Sequence, residues 1–307
     1  MGDSTGISWC DRTYNIWIGC TKVSDGCQFC YAERDNKLRQ WTDKWGPGGT
    51  RHKTKTSKDL SKWNKEYWVR CESCGWRGKM TTYPECPACG EPALKPTRQR
   101  VFVNSLSDLF EDHPTVFPWR NEFWAMSQMY NNLDYLLLTK RPENYGRFAP
   151  RDWNRFGWPS NIWLGVSVEN QARANERLPF LSNVGAQVVK WVSVEPMLGP
   201  VSLHEAGAIH IGPPGSSSSW RKIDWVVCGG ESGAGCRKMN IVDARSLLQE
   251  CDAVGVKFYM KQLGGHPDRR ERMEEFPKDL RVREYPTPFA PPRPSPNGRA
   301  QFGEGDL

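Results

Sequence analysis

Seven of the eleven cysteines fall in two closely spaced sets, and thiolates spaced in this way are metal ligands first. Cys20, Cys27 and Cys30 are spaced C-x6-C-x2-C within residues 19–33. One loop can wrap an iron–sulfur cluster with such a set, and three thiolates leave a fourth iron open to a substrate or cofactor. A fully protein-bound electron-transfer cluster needs a fourth cysteine, for which Cys10, Cys228, Cys236 and Cys251 are the candidates. A three-cysteine zinc site completed by a histidine is another alternative, but no histidine lies near the motif. The second set, Cys71, Cys74, Cys86 and Cys89, forms two C-x2-C knuckles eleven residues apart. Four thiolates close a tetrahedral shell around Zn²⁺, so this spacing predicts a structural zinc ribbon at 71–90, with a second iron–sulfur cluster as the competing reading. Gly75 and Gly90 follow the knuckles and can take the turn conformations they require.

Composition sets the context. The first residues, Met1-Gly2-Asp3-Ser4-Thr5, hold no basic region leading into an apolar run, and no stretch approaches a membrane span. A cytoplasmic location with no membrane partner is expected, and eleven cysteines in a reducing compartment point to metal before disulfides. The net charge of +7 is uneven: residues 1–100 hold 18 Lys+Arg against 11 Asp+Glu, whereas residues 101–307 hold 24 of each. Seven of the 15 tryptophans share that basic third. Cations interleaved with aromatics suit a polyanion with stackable bases, that is DNA or RNA; a solvated basic face over a tryptophan core is the plainer reading. Arg70, Arg77, Lys79 and Trp76, on and beside the ribbon, are the expected nucleic-acid contacts, and the ribbon is expected beside the site where chemistry occurs.

These groups need elements to position them. Apolar, β-branched runs occur at Val101–Val103, Tyr135–Leu138, Ile162–Val168, Val188–Val194, Trp225–Val227 and, more weakly, Val256–Met260. Near-continuous apolar runs suit parallel strands buried on both faces. Asn121–Tyr130 and Asp243–Ala253 read as helices between them, the second capped by Gly255. The fold class is therefore α/β with a parallel sheet, open or curled into a partial (β/α) barrel. Residues 1–40 and 99–285 form that body, 41–98 an insertion with the ribbon, and 286–307 a Pro/Gly-rich tail expected to be disordered. Gly212–Ser219 reads as a flexible loop. Each strand run is followed at once by polar residues, among them Asp108, Lys140, Ser167, Glu169, Glu195, Glu231 and Lys261. In a parallel barrel all these ends open on one face, where the active site lies. A buried structural salt bridge with Lys140 or Lys261 is the alternative use of the three glutamates Glu169, Glu195 and Glu231. Val-Ser-Val-Glu occurs twice, at 166–169 and 192–195.

The three-cysteine motif resembles that of the radical S-adenosylmethionine (SAM) superfamily. The blocks Cys30-Tyr31-Ala32-Glu33, Asn104–Phe110, Thr139–Pro142, Gly165–Glu169, Ser193–Pro196, Asp224–Ser232 and Lys261-Gln262 look like an often phage-encoded branch of it, distantly similar to spore photoproduct lyase. The usual spacing there is C-x3-C-x2-C, and this chain has x6. The resemblance implies a partial barrel of radical SAM type and a [4Fe–4S] cluster on Cys20, Cys27 and Cys30. It further implies an enzyme that generates a 5′-deoxyadenosyl radical from SAM, here to modify or repair a nucleic-acid base. A reductant protein such as flavodoxin or ferredoxin is the implied partner. Phe29 and Tyr31 are then expected to border SAM, and Asp108, Lys140, Ser167, Glu169 and Glu195 to contact cofactor or substrate. Cys228, Glu231 and Lys261 are the expected catalytic groups, with an inert buried thiol as the alternative for Cys228. The competing functions are a non-catalytic iron–sulfur or zinc protein that binds nucleic acid or a partner, and the same radical chemistry on a free nucleotide or peptide.

Overall fold

A computed structural model describes residues 5–80, 85–185, 187–213 and 217–287. The tail from residue 288 onward and residues 214–216 of the Gly212–Ser219 loop lie outside the described residues. Seven strands form one sheet: β1 (Arg12–Tyr14), β2 (Gln99–Val103), β3 (Leu133–Thr139), β4 (Ile162–Ser167), β5 (Val189–Val194), β6 (Trp225–Gly229) and β7 (Lys257–Gln262). They lie side by side in chain order, and every neighbouring pair is parallel. The helices are α1 (Tyr31–Arg39), α2 (Ser57–Asn64), α3 (Phe117–Met129), α4 (Gln171–Ser182) and α5 (Ile241–Val254), besides short turns. Asn170 caps α4 by accepting from the Arg173 N–H, and Gly255 ends α5 at φ +68°. All six apolar runs are strands. The seventh, β1, has three residues and only Tyr14 as a large apolar group, so no periodicity announces it. None of the helices among the described residues is long and apolar enough to cross a membrane.

The sheet curls into a half-barrel. Trp9 touches Phe102 of β2 and Trp191 of β5, with ring centroids 4.6 and 5.1 Å away. Three strand spacings of about 4.8 Å would hold those strands roughly 14 Å apart in a flat sheet. Alternation divides the side chains. Val101, Tyr135, Leu164, Val192, Val226, Cys228 and Phe258 face outward and pack with Phe123, Leu178, Leu247 and Cys251 of the helical layer. The concave face holds Trp9, Phe102, Leu136, Trp163, Trp191, Trp225, Val227 and Tyr259.

The concave face changes character along the strands. Trp191 lies opposite Gly165, where a Cβ would come within 2.3 Å of the indole. One step further, Ser193 lies opposite Ser167. At Gly229 a Cβ would meet the Glu195 carboxylate at 2.8 Å. Indoles therefore plug the N-terminal half of the barrel, and serine and glycine leave its C-terminal end open. The two Val-Ser-Val-Glu copies are adjacent strands in register, Val166 beside Val192 and Ser167 beside Ser193.

The insertion runs along the β1 edge from one end of the sheet to the other. Its first part joins the main body: His52–Lys53 pairs with Trp17–Ile18, and Leu60 and Trp63 of α2 are buried in the main core. The separate unit is smaller than 41–98 and begins near Tyr67. It is a three-stranded antiparallel sheet (Arg77–Lys79, Trp68–Cys71, Leu94–Thr97) around Val69, Cys71, Cys86 and Leu94. This unit docks at the N-terminal ends of β1–β3. Asp11, just ahead of β1, takes Arg77 at 3.1 Å and Arg100 at 3.5 Å, and Arg98 reaches Asp134 at 3.5 Å. Burial pushes the Asp11 carboxyl up, but Arg100 and Arg77 outweigh it and hold the group down to about 2. At Asp134 burial prevails over Arg98, and the carboxyl is pushed up to about 6. The four-cysteine unit is therefore at the foot of the barrel. The expectation that it stands beside the mouth is corrected: Leu94–Thr97 feeds straight into the first residue of β2, which fixes it at that end.

Candidate metal centres

The three-cysteine loop lies across the open end of the half-barrel, tied to residues that follow four strands, β2, β3, β4 and β6. The Gly26 N–H donates to Glu169 Oε1 at 3.3 Å, and a Cβ at Gly26 would crowd that carboxylate at 3.1 Å. Thr21 N–H donates to Glu111 Oε1 at 2.8 Å. Arg141 reaches the Thr21 carbonyl at 2.6 Å and Cys20 Sγ at 3.7 Å. Arg237 reaches the Asp25 carbonyl at 3.0 Å and lies over the Phe29 ring, 5.3 Å from its centroid. The Tyr31 hydroxyl donates to the Ser105 carbonyl. Each latch is itself held. Asp108 accepts from Arg141 at 2.8 Å, Thr139 Oγ1 at 2.6 Å and Lys140 N–H at 3.1 Å. Burial pushes the Asp108 carboxyl up, and Arg141 with these hydrogen bonds more than reverses it, so it stays ionised below its ordinary value.

Below the loop, two polar pairs face the opening. Lys140 Nζ donates to Ser167 Oγ at 2.9 Å, and Lys261 Nζ lies 2.8 Å from Glu195 Oε1. Phe29 and Tyr31 are partly exposed, as are Val23 and Leu38. Cys20, Cys27 and Cys30 are half-buried. Burial pushes the Cys20 and Cys30 thiols up, and cations oppose it: Arg141 at Cys20, Lys140 at Cys30 after the Glu33 and Ala32 N–H groups. Among the described residues these three are not gathered as the ribbon cysteines are. The adjacent Arg141 and Lys140 would offset the charge of thiolates that held a metal.

Several expected site residues take other work. Cys228 is on the outer face of β6, buried with its Sγ 3.8 Å from the Met197 sulfur; strand alternation turns it away from the mouth, so a catalytic role is corrected to packing. Glu169 is fully buried and ion-paired with Arg177 at 3.0 Å, so it anchors the Gly26 N–H instead of meeting a cofactor. Its partner is neither Lys140 nor Lys261. Asp108 is likewise saturated and positions Arg141. Glu231 grips Arg237 at 2.6 Å, which makes it a support for the loop latch and not a reacting acid. Arg51, Glu111, Arg141, Arg177 and Arg237 were missed by sequence reasoning. Arg141 stands within the Thr139–Pro142 block, but its partner lies 33 residues away.

At the foot, the ligand atoms of Cys71, Cys74, Cys86 and Cys89 lie within 4.8 Å of one another and could hold a metal ion. The Cys71–Cys89 and Cys74–Cys86 sulfurs are 3.7 and 3.6 Å apart. Four thiolates about 2.3 Å from a tetrahedral Zn²⁺ stand about 3.8 Å from each other, so the donors match that ion. The two knuckles are alike: the Gly75 N–H donates to the Cys71 carbonyl, the Gly90 N–H to that of Cys86, and both glycines take positive φ (+76° and +78°). Around them, the nucleic-acid candidates divide. Arg77 is committed inward to Asp11, the Arg98 carbonyl and Thr97, so a phosphate contact there is corrected to a docking pair. Trp76 is half-buried with its ring on Gly78, where a Cβ would sit 2.4 Å from it, so it packs the ribbon instead of offering a free face. Lys79 is exposed and Arg70 half-buried; they lie 3.7 Å from Glu66 and 3.5 Å from Glu72. Tyr83 lies outside the described residues.

Fold and site together define an α/β protein with a parallel half-barrel, a cysteine-bearing mouth and, at its foot, four cysteines that could hold a metal ion. The chain belongs to the family described as protein of unknown function (DUF5131), matched over residues 4–288. No curated protein and no solved structure matches the chain. Membership of the radical SAM superfamily is thereby overturned: the family matched over nearly the whole chain is a different one, and the matched span includes every block that carried the resemblance. The six residues between Cys20 and Cys27 are where the loop departs from that superfamily's pattern.

Proposed function

We propose that this protein is an enzyme that uses an iron–sulfur cluster held by Cys20, Cys27 and Cys30 to act on a base in DNA or RNA, with SAM as the cofactor at the open iron. The observation that supports this reading is a loop of three half-buried thiols latched over the mouth of a parallel half-barrel. When bound, such a cluster supplies one electron to the sulfonium of SAM, and an electron donor protein of the flavodoxin or ferredoxin kind would replenish it. The chain's own groups do the rest. Arg141 and Lys140 offset the negative charge of the thiolates. Glu195 and Lys261, opposite in charge, complement the ammonium and carboxylate of an amino-acid end. Phe29 and Tyr31 offer ring faces to a base at the rim. The indole floor excludes water from beneath. In this reading the foot site holds zinc, which is structural because four thiolates leave no open position.

The test is anaerobic reconstitution with iron and sulfide, then SAM and dithionite, with mass spectrometry for 5′-deoxyadenosine. Formation of 5′-deoxyadenosine by the wild type and its loss in Cys27→Ala is the expected result. A reconstituted wild type that binds iron but leaves SAM intact would overturn the enzymatic reading and leave a non-catalytic metal protein.

A further inference from the structure

We propose that the outer face of α2 carries the phosphodiester backbone of a nucleic acid on a stripe of four lysines, Lys55, Lys58, Lys62 and Lys65. This rests on the nucleic-acid part of the reading above and gives the polymer its place on the molecule.

The argument begins with how the basic excess of residues 1–100 is spent. Of its eight arginines, Arg12, Arg51, Arg77, Arg98 and Arg100 are turned inward, against Glu66, Glu111, Asp11, Asp134 and Asp11. Arginine suits such interior pairing, whereas lysine stays at the surface as a hydrated point charge. The field that a partner feels is therefore carried by lysines. Four of the ten lysines of this region are spaced 3, 4 and 3 residues apart along α2 and its flanks. That spacing puts them on one helical face. All four are exposed, while Leu60 and Trp63 on the opposite side are buried. Lys58 to Lys65 spans about 10 Å at 1.5 Å per residue. One strand of a nucleic acid passes roughly three phosphates in that length.

Two further features fit an extended polyanion. A groove lined by Lys53, Lys55, Lys58 and Glu122, with buried Tyr14 and Ile16, lies beside the stripe; Glu122 pairs with Lys53 there, and Lys55 and Lys58 are the cations it shares with the stripe. In the other direction lie exposed Lys79 and half-buried Arg70 of the foot unit, each beside a glutamate, Glu66 and Glu72. The half-buried side chains of Tyr67 and Trp68 border that end. The track is linear and joins the mouth to the foot, which suits a polymer that must place one unit at the mouth.

The experiment uses the full-length metal-loaded chain. Binding of a fluorescein-labelled oligothymidine and of a labelled duplex is followed by anisotropy over a salt series. The variant carries Lys55→Gln, Lys58→Gln, Lys62→Gln and Lys65→Gln, and a control of equal charge loss carries Arg151→Gln, Arg155→Gln, Arg269→Gln and Lys278→Gln. Wild type should bind at low salt. The log–log slope of the lysine variant should be shallower by roughly 3, from four contacts at about 0.7 to 0.9 each, and the control should keep the wild-type slope. Equal slopes for wild type and lysine variant, or no binding of either probe by the wild type, would overturn the proposal. Competition by polyglutamate as strong as by the oligonucleotides would also overturn it and make the stripe a surface for an acidic protein. Zinc content and 5′-deoxyadenosine yield are read in parallel. The lysine variant should keep both, so a failure of SAM cleavage in the wild type counts against the proposed chemistry and leaves the lysine track to its own test.

Discussion

At the foot of the sheet four thiols converge within 4.8 Å; at the mouth three thiols stay apart, and the polypeptide around them is held instead by arginines and carboxylates. Among its described residues the foot unit buries Val69, Leu94 and two of its own cysteines, with Tyr67, Trp76, Met80 and Ala93 packed against them. In the proposed reading a metal adds to that small core. The mouth loop sits on a complete parallel sheet, and Glu169, Glu111, Arg141 and Arg237 hold its backbone without any metal. In the proposed reading an ion would organise the first region, whereas the second is organised by its own ion pairs.

The comparison can be broken most forcefully at the foot. Cys71→Ser should remove about one metal ion per chain and melt residues 68–97, because structural zinc sites of this kind carry on the order of 10 kcal/mol of folding free energy. Elemental analysis with hydrogen exchange checks it; a protected Leu94–Thr97 strand without metal would show that the unit folds on its own core. At the mouth, if the proposed cluster is held there, Cys20→Ala, Cys27→Ala or Cys30→Ala should abolish iron binding while the metal content of the foot and thermal stability persist. Loss of both metals together would mean that the two regions are not independent.

A smaller effect is expected one layer out. Arg141→Met leaves the buried Asp108 carboxylate without its cation, and removing one partner of a buried pair costs about 3–5 kcal/mol. The loss should be greatest near neutrality. Asp108 is held below its ordinary value in the wild type, so its contribution is present above that value and fades as pH falls. A thermal-melt series from acid to neutral pH shows whether the gap between wild type and variant closes on acidification; a constant gap would assign the damage to packing. The smallest effect concerns the dock. Asp134, pushed up to about 6, favours the folded state while protonated, so its contribution is lost as pH rises through about 6. Asp11, held to about 2, acts oppositely and is lost as pH falls from about 4 toward 2. Each limb is on the order of 2 kcal/mol. Asp134→Asn should abolish the upper limb alone, read by exchange protection of Leu94–Thr97; an upper limb that survives it belongs to another group.

Six strands were legible because burial on both faces makes their sequences apolar without interruption. β1 was not, since three residues carry no period. The mouth was legible in part: polar residues after strand runs did gather at one end, but their partners were invisible. Glu169 meets Arg177, and Glu231 meets Arg237, across turns that no spacing rule foretells. Cys228 was misread because alternation in a wholly apolar strand has no polar face to set its phase. The foot unit was misplaced for a different reason. Adjacency in the chain tells that an insertion joins a strand, and only the direction of that strand tells at which end.

The layer of indoles beneath the mouth has a consequence for traffic. Trp9, Trp163, Trp191 and Trp225 fill the concave side below, so among the described residues the way in lies above them. Whatever enters between the cysteine loop and the strand ends must leave by the way it came. The deepest occupant is then first in and last out, and a long polymer draped over the opening would trap whatever lies under it until the polymer moves on.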